Sequence, residues 1–469
     1  MTEIYTPRGH RTGKPSGAKR MKAINYVCLF VGVAWLTANV NGQDAASWKA
    51  GAAAIDITPD GPVWMAGYGS RNKPSEGVAQ RIHAKALAIE DNGNGRMVIV
   101  TMDLIGVPRE VRDGVERRVR KQYGLSPESI LLNASHTHSG PAPSRRGVDD
   151  PTYAKVADSY QRVLEEKIVQ VIGQALSRTA PANLYFTRAR AGFAMNRRLR
   201  VGNEIRNSPN PDGPVDHDVP VLRVVGSDGN LKAVLFGYAC HNTVTGFYTL
   251  NGDYAGYAQT YLEQAHPGAV ALFLAGAGGD QNPYPRHVSL EQSEQHGRTL
   301  ANAVEAAVQI TIQRSVHGPL RSALAYAELA YANITRADLE RRASSGNSDD
   351  VKRAKVLLHE LEAKTLRDSY PCPVQVLQFG ADLTVVAIGG EATVEYSLRL
   401  KRELKPGPAV WVAGYSNDGF GYLGSKRVLE EGGYEGYSAN LRWHPGPWAT
   451  DTEERVIQKA YELLRSLKH

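Results

Sequence analysis

Short, uninterrupted apolar runs punctuate this chain, and several of them end abruptly in a glycine-rich or histidine-bearing turn. Ile130–Ala134 leads into Ser135-His136-Thr137-His138-Ser139-Gly140-Pro141, Ala233–Cys240 into His241, and Val385–Ile388 into Gly389-Gly390-Glu391. Apolar runs this short, bounded by turn residues, fit strands covered on both faces. Amphipathic stretches separate them. Val111, Val115 and Val119 recur at four-residue spacing in Arg109–Tyr123, and Val156, Tyr160, Val163, Ile168, Val171 and Ile172 mark one side of Tyr153–Ser177. Further strands are expected at Ala86–Glu90 and Met97–Met102 around the Asn92-Gly93 turn, and at Val221–Val225, Ala269–Leu274, Val374–Phe379 and Leu383–Ile388. Helices are expected over Ser289–Thr311 and Ala392–Arg402. The alternation predicts an α/β (α+β) fold with a mixed sheet flanked by helices. No compositional break interrupts residues 50–469, so residues 43–469 read as one large domain. The charged segment 336–367 reads as a helical hairpin broken at Ser344–Ser348, an insertion lying over the surface.

The chain has 469 residues, 42% hydrophobic and 22% charged, which excludes a disordered chain or a coiled coil. Its net charge of +7 is unevenly held: Arg8, Arg11, Lys14, Lys19, Arg20 and Lys22 against Glu3 put +5 in residues 1–42 and leave +2 for the rest. A nucleic-acid footprint would need clustered charge in the folded part, and none is present. Met21-Lys22, the uncharged and mainly apolar Ala23–Ala38, and the small residues before Gln43 read as an export signal. Residues 1–42 are therefore expected to be an N-terminal extension plus signal peptide, and the mature chain secreted or periplasmic. Retention as an uncleaved anchor is the alternative, since the apolar core approaches the ~20 residues that span a bilayer. Cys240 and Cys372 remain beyond the leader, either paired or as two separate buried thiols.

His136 and His138, at i and i+2 on leaving a strand, are expected to project from one face, because strand side chains repeat every two residues. Two converging imidazoles suit a borderline metal such as zinc; two loop histidines capping backbone groups are the plainer alternative. His241 is either a hydrogen-bonded core residue or a ligand. Glu391 either caps the next helix or faces a cleft at the strand ends, where α/β proteins place their sites. Ala275–Pro283 lacks the third glycine of GxGxxG and a Walker lysine, so it is not a nucleotide loop. It reads as a tight turn presenting backbone N–H groups and Asn282 to a ligand, or as a plain connection. The tyrosines of Ser416–Gly436 either pack on the surface or line a pocket, where a nearby cation would favour phenolate. Arg197 is open between a solvated face and the site.

Taken together, these stretches resemble the neutral/alkaline non-lysosomal ceramidase family. The matching residues are Gly51–Pro59 (GAAAIDITP), Ser135–Pro141, Asn196-Arg197, Asp253–Ala258 (DYAGYA), Gly279-Asp280, Gly390-Glu391 and Asn417…Tyr422…Tyr434-Glu435-Gly436, in the family's order over nearly all of residues 50–469. The resemblance implies a mixed α/β sandwich holding one zinc ion, with His136, His241, Glu391 and Tyr422 as ligands. It places His138, Arg197 and Tyr434 around the substrate amide. The family's Gly-Asp-Val-Ser-Pro-Asn is replaced by Gly279-Asp280-Gln281-Asn282-Pro283-Tyr284, so Asn282 stands at the position of the nucleophilic serine, and an amide cannot form an acyl-enzyme. The expectation is an exported zinc-dependent amidohydrolase that cleaves ceramide-like N-acyl lipids through a zinc-bound water. Tyr434 or Asn282 would stabilise the oxyanion and His138 move the proton. A zinc hydrolase of another acylated or ester substrate and a catalytically lapsed, metal-stabilised binding protein are the alternatives. The expected partner is a small-molecule or lipid substrate with an amide bond. No nucleic acid is expected, nor a membrane span once the signal is removed. The family's C-terminal immunoglobulin-like domain is not expected after Trp448, where one amphipathic helix, Thr452–Leu467, remains.

Overall fold

Alternation along each strand decides the layers of this molecule. In Arg96–Met102, Met97 and Ile99 enter one core while Val98 and Val100 enter another, and all four are buried. The same division runs through Leu231–Tyr238, where Leu235 faces inward and Val234 and Phe236 outward, and through Val270–Ala275. The inner side chains pack against a second sheet through Leu377, Phe379, Val385 and Trp411. Strands covered on both faces have no polar side to show, which is why they read as unbroken apolar runs. The computed structural model describes residues 47–144, 150–310, 314–332, 334–345 and 348–468. The expected signal peptide or anchor lies outside these residues.

The larger sheet runs in the order Val270–Ala275, Leu231–Tyr238, Asp218–Gly226, Ala180–Arg190, Trp48–Asp56, His83–Asp91, Arg96–Met102, Ile130–Ala134. Only the first and last pairs along that order are parallel. The smaller sheet is Leu320–Ala330, Ser369–Phe379, Leu383–Ile388, Ala409–Ala413, with the last two strands parallel. Helices Arg109–Tyr123 and Pro151–Ser177 cover half of the larger sheet's outer face, and Asp253–Ala265 and Leu290–Val308 the other half. Val394–Glu403 and Thr452–Ser466 cover the smaller sheet. The fold is thus a mixed β-sandwich between helical layers. Among the described residues, no helix is long and apolar enough to cross a membrane.

Local chemistry sets several boundaries. Asp150 accepts hydrogen bonds from the N–H groups of Thr152 and Tyr153, and Pro151 occupies the first helical position. The charged segment forms helices Arg336–Ala343 and Ser348–Glu362, and Arg342 ties it down by donating to the carbonyls of Pro445 and Leu441. Two details depart from the sequence reading, and the cysteines follow the second of its two alternatives. Val163 is 42% exposed, because the buried stripe of its helix passes through Tyr160, Leu164 and Ile168 instead. Cys240 and Cys372 are free thiols buried in different cores. Trp48–Asp56, a central strand with no expectation attached, is rich in alanine and glycine because the Pro151–Ser177 helix crosses it closely. A Cβ on Gly51 would collide with the backbone of Ala175.

In a flat sheet the two edge strands would run in opposite directions, a full sheet width apart. Twist of ~20–25° per strand pair, accumulated across seven pairs, together with coiling, brings them back into contact. Asn133, fully buried at the end of Ile130–Ala134, accepts from the Ala275 N–H at 2.9 Å and donates to the Gly414 carbonyl at 2.8 Å. The carboxyl ends of strands from both sheets therefore meet at one place. Replacing Asn133 by Ala leaves the buried Ala275 N–H without this acceptor and removes one of the two donors to the Gly414 carbonyl, which Ser416 Oγ also meets at 2.8 Å. It is predicted to lower unfolding free energy by about 2–4 kcal/mol, measured from the shift of the urea midpoint.

Candidate metal centre

Each strand end at this junction carries a turn, and the turns carry the polar groups. His136 follows Ile130–Ala134, His241 follows Leu231–Tyr238, and Glu391 follows Leu383–Ile388 through Gly389-Gly390. The two histidine turns are stitched together: Thr137 bridges Asn242, the His138 N–H donates to the Asn242 carbonyl at 3.0 Å, and the Asn242 side chain donates to the Ser135 carbonyl. Glu391 and Tyr422 are paired in a short parallel bridge. Five of the six non-glycine residues with positive φ among the described residues are His136, Asp253, His287, Tyr415 and Asn417, all in these turns or the segments packed on them. Strained backbone of this kind persists only where the surroundings enforce it.

His136 and His138 do converge, but not as residues of an extended strand. His136 sits at φ +64°, in the left-handed region, and this bend brings the two Nε2 atoms to 3.1 Å. Gly67, at φ +102°, lies flat on the His138 ring, where any Cβ would collide. Tyr415 stacks on His136 with ring centroids 4.4 Å apart.

The tautomers follow from the outer hydrogen bonds. His136 Nδ1 lies 2.7 Å from the Ile105 carbonyl, and His241 Nδ1 lies 2.8 Å from the Gly278 carbonyl. A carbonyl only accepts, so both Nδ1 atoms carry the proton and both Nε2 atoms present lone pairs inward. Glu391 Oε2 stands 3.1 Å from His136 Nε2 and 3.3 Å from His241 Nε2. In the tautomers that these carbonyls select, neither nitrogen has a proton to give, and this buried oxygen has no hydrogen-bond donor. Burial, reinforced by Arg197, pushes His241 down to about 3, and burial first and His136 second hold His138 well below the ordinary imidazole value, so both rings are neutral near pH 7. Three lone-pair donors thus face one another with no proton between them, an arrangement that fits a cation. His136, His138 and His241 offer nitrogen atoms all within 4.8 Å of one another.

Arg197 is fully committed inside this site and is not on a solvated face. It is 3% exposed, donating to Glu435 Oε1 at 2.8 Å, Asn282 Oδ1 at 3.1 Å and the Tyr422 hydroxyl at 2.8 Å. Tyr422 lies 3.3 Å from His241 Nε2. Burial outweighs Arg197 at Tyr422 and pushes the phenol well up, so the side chain is a phenol and not the phenolate expected beside a cation. Tyr434, 47% exposed, packs edge-on against Tyr422 at 5.3 Å. Asn282 is completely buried, in a strand paired with Met195. Two of the N–H groups of the Gly276–Gly279 turn are used within the fold. Those of Gly276 and Gly279 donate to the Tyr238 and Ala392 carbonyls, and its glycines serve close packing: a Cβ on Gly279 would strike the Glu391 carbonyl.

The structure thus brings together His136, His138, His241, Glu391, Tyr422, Arg197, Asn282 and Tyr434. Three contributors had drawn no individual expectation. Asn242 adjoins His241, and Tyr415 holds the same strand-end position as the histidines, so position alone pointed to both. Glu435 binds Arg197 and, at 2.6 Å, Arg198, anchoring the turn that carries Tyr434. Only its place beside Tyr434 marked it.

Asp280 braces the same junction. It accepts from the Val394 N–H at 2.9 Å, from Gln281 at 3.0 Å and from Asn196 at 2.9 Å, and burial pushes its carboxyl up to about 6 from an ordinary 3.8. A raised folded-state value means that the proton favours the folded form. This group's contribution is complete below pH 3.8 and is lost as pH rises through about 6. Asp280→Asn is therefore predicted to flatten the fall in melting temperature between about pH 4 and 6, whatever its offset at a single pH.

Residues 48–293 match the family profile described as neutral/alkaline non-lysosomal ceramidase, N-terminal. The region includes His136, His138, Arg197, His241 and Asn282. Among curated relatives, a neutral ceramidase of Pseudomonas aeruginosa is 28% identical over 261 residues, covering 51% of this chain and 38% of that protein. Neutral ceramidase B of Dictyostelium discoideum is 28% identical over 269 residues, covering 53% of this chain and 37% of that protein. The matched region is thus well under half the length of these relatives. The crystal structure of the Pseudomonas aeruginosa neutral ceramidase shares the fold with a TM-score of 0.72 at 20% identity, over 90% of this chain and 75% of that one. The profile match spans more than half of the sequence, and this chain belongs to the neutral/alkaline non-lysosomal ceramidase family.

Proposed function

We propose that this chain is an exported, zinc-dependent hydrolase that cleaves the amide bond of ceramide-like N-acyl lipids. The observation that carries the reading is the set of buried lone-pair donors, His136 Nε2, His241 Nε2 and Glu391 Oε2, facing one another without a proton. These would hold the metal, with Tyr422 as a fourth ligand. Two imidazoles with oxygen donors and no thiolate suit zinc. When bound, zinc would supply Lewis acidity and lower the pKa of water toward ~7. The relatives named neutral ceramidases support the amide substrate, and the leader's pattern supports export.

The chain's own residues then divide the work. Neutral His138, its Nε2 beside the ligand set, takes up and returns a proton during attack on the amide. Arg197 holds the Tyr422 oxygen and the Asn282 carbonyl in fixed places. Asn282 brings an amide where a serine would bring a nucleophile, which leaves no acyl-enzyme route through this position. Its Nδ2 lies a long 3.5 Å from Asn207 Oδ1, so an N–H remains available to an oxyanion. Tyr434 presents a second phenol at the exposed side. Asn282 also favours one other reading, a metal-stabilised binding protein whose catalysis has lapsed.

Fatty-acid release from a fluorescent N-acyl sphingosine is expected to be lost on chelation and restored by zinc, and His136→Ala is expected to reduce both bound zinc and turnover to background. Zinc without turnover of this amide or of the matching ester would favour the binding protein. Asn282→Ala is predicted to lower kcat by about 10²–10³-fold, the loss typical of one oxyanion donor. Unchanged turnover would remove that role from Asn282.

A further inference from the structure

The segment Tyr284–Val288 overhangs the site and carries a cation that nothing in the mechanism uses. The His287 N–H donates to the Val244 carbonyl at 2.6 Å, with His287 held at φ +61°, so the segment is pinned at its backbone. On one side the His287 ring meets the Tyr68 hydroxyl at 3.1 Å, and Tyr68 packs edge-on against His138 at 4.9 Å. On the other side Arg286 donates to Thr243 Oγ1 at 3.4 Å. Thr243 Oγ1 lies 3.5 Å from Asn282 Oδ1, the atom that also accepts from Arg197.

Arg286 is half-buried, and among the described residues no carboxylate lies within 4 Å of it. The Tyr284 ring lies 5.9 Å from its guanidinium. The contrast with Arg197 and Arg198 is complete, since Glu435 satisfies both. Next to Arg286 the wall is polar and neutral: Thr243, Asn282 and the exposed Asn207. A second guanidinium, Arg442, adjoins Tyr434 and Gly69, also with no carboxylate partner among the described residues. Two guanidiniums without a carboxylate partner among the described residues thus flank this part of the site. A guanidinium with donors to spare beside a polar wall is a receptor for an oxyanion, for which its planar fork is shaped.

Resting on the hydrolase reading, we infer that the preferred substrates are N-acyl amides carrying an anionic oxyacid group, carboxylate or sulfonate, close to the scissile bond, and that Arg286 is the residue that selects them. A neutral N-acyl sphingosine would leave Arg286 without an anionic partner.

Binding measures this without requiring turnover. The full chain is titrated calorimetrically with N-lauroylglycine, N-lauroyltaurine and neutral N-lauroylglycinamide, all below their micellar concentrations. At least one anion is expected to bind about tenfold more tightly than the neutral amide, with the preference falling as salt rises. Arg286→Gln should abolish the preference and leave the neutral amide's affinity unchanged, whereas Arg286→Lys should keep part of it. The two anions together distinguish carboxylate from sulfonate. Equal affinity for all three ligands, a preference that survives Arg286→Gln, or no binding by any ligand would overturn the inference. Failure of the hydrolase reading registers separately, as absent turnover of every amide by a protein that still binds the anion through Arg286.

Discussion

The carboxamide of Asn133 joins three strand ends drawn from both sheets, and the candidate site depends on that junction. The larger sheet must curl through most of a half-turn before its edges meet, and the smaller sheet must dock at the same point. A side chain with one donor and one acceptor end, completely buried, satisfies the Ala275 N–H and the Gly414 carbonyl together. Ser416 Oγ adds a second donor to the Gly414 carbonyl at 2.8 Å. From this knot the chain leaves in short turns, and every turn carries a group that faces the same small volume. Asn242, Asp253 and Asp280 repeat the device at smaller scale by pairing the backbone N–H groups that the turns leave open.

Charge inside the site is balanced in two separate ways. Around Arg197 and Arg198 the protein supplies its own counter-charge, Glu435. Around Glu391 it does not. His136 and His241 have their protons drawn outward by carbonyls, and burial keeps His241 neutral, so the carboxylate faces lone pairs. A buried anion left in that state is costly unless a cation joins it. The same contrast recurs at the opening, where Arg286 stands without a carboxylate. One position thus lacks a positive partner and the other a negative one, which is how a metal and an anionic substrate would each find a place.

Much of this fold was legible in the sequence because doubly covered strands cannot hide. Ile130–Ala134 and Leu383–Ile388 have the bounds that their apolar runs mark, as does the helix Arg109–Tyr123. Trp48–Asp56 was not legible, since the close crossing of a helix demands alanine and glycine there, and small residues carry little strand signal. Leu320–Ala330 and Ala180–Arg190 alternate in burial and include exposed or intermediate residues, so no apolar run announces them. Within the site, the histidines and Glu391 stood out by their position after strands. The left-handed bend at His136 did not, because backbone conformation at a histidine leaves no mark in composition. Tyr415 and Glu435 act by stacking and by charge across the fold, and such contacts exist only once distant segments meet.

Anomalous diffraction at the zinc absorption edge, from crystals of the zinc-loaded protein, addresses the central claim most directly. The account predicts a single strong peak about 2.0–2.2 Å from His136 Nε2, His241 Nε2 and Glu391 Oε2. No peak at that position, or one held by His136 and His138 with Glu391 left out, would contradict it.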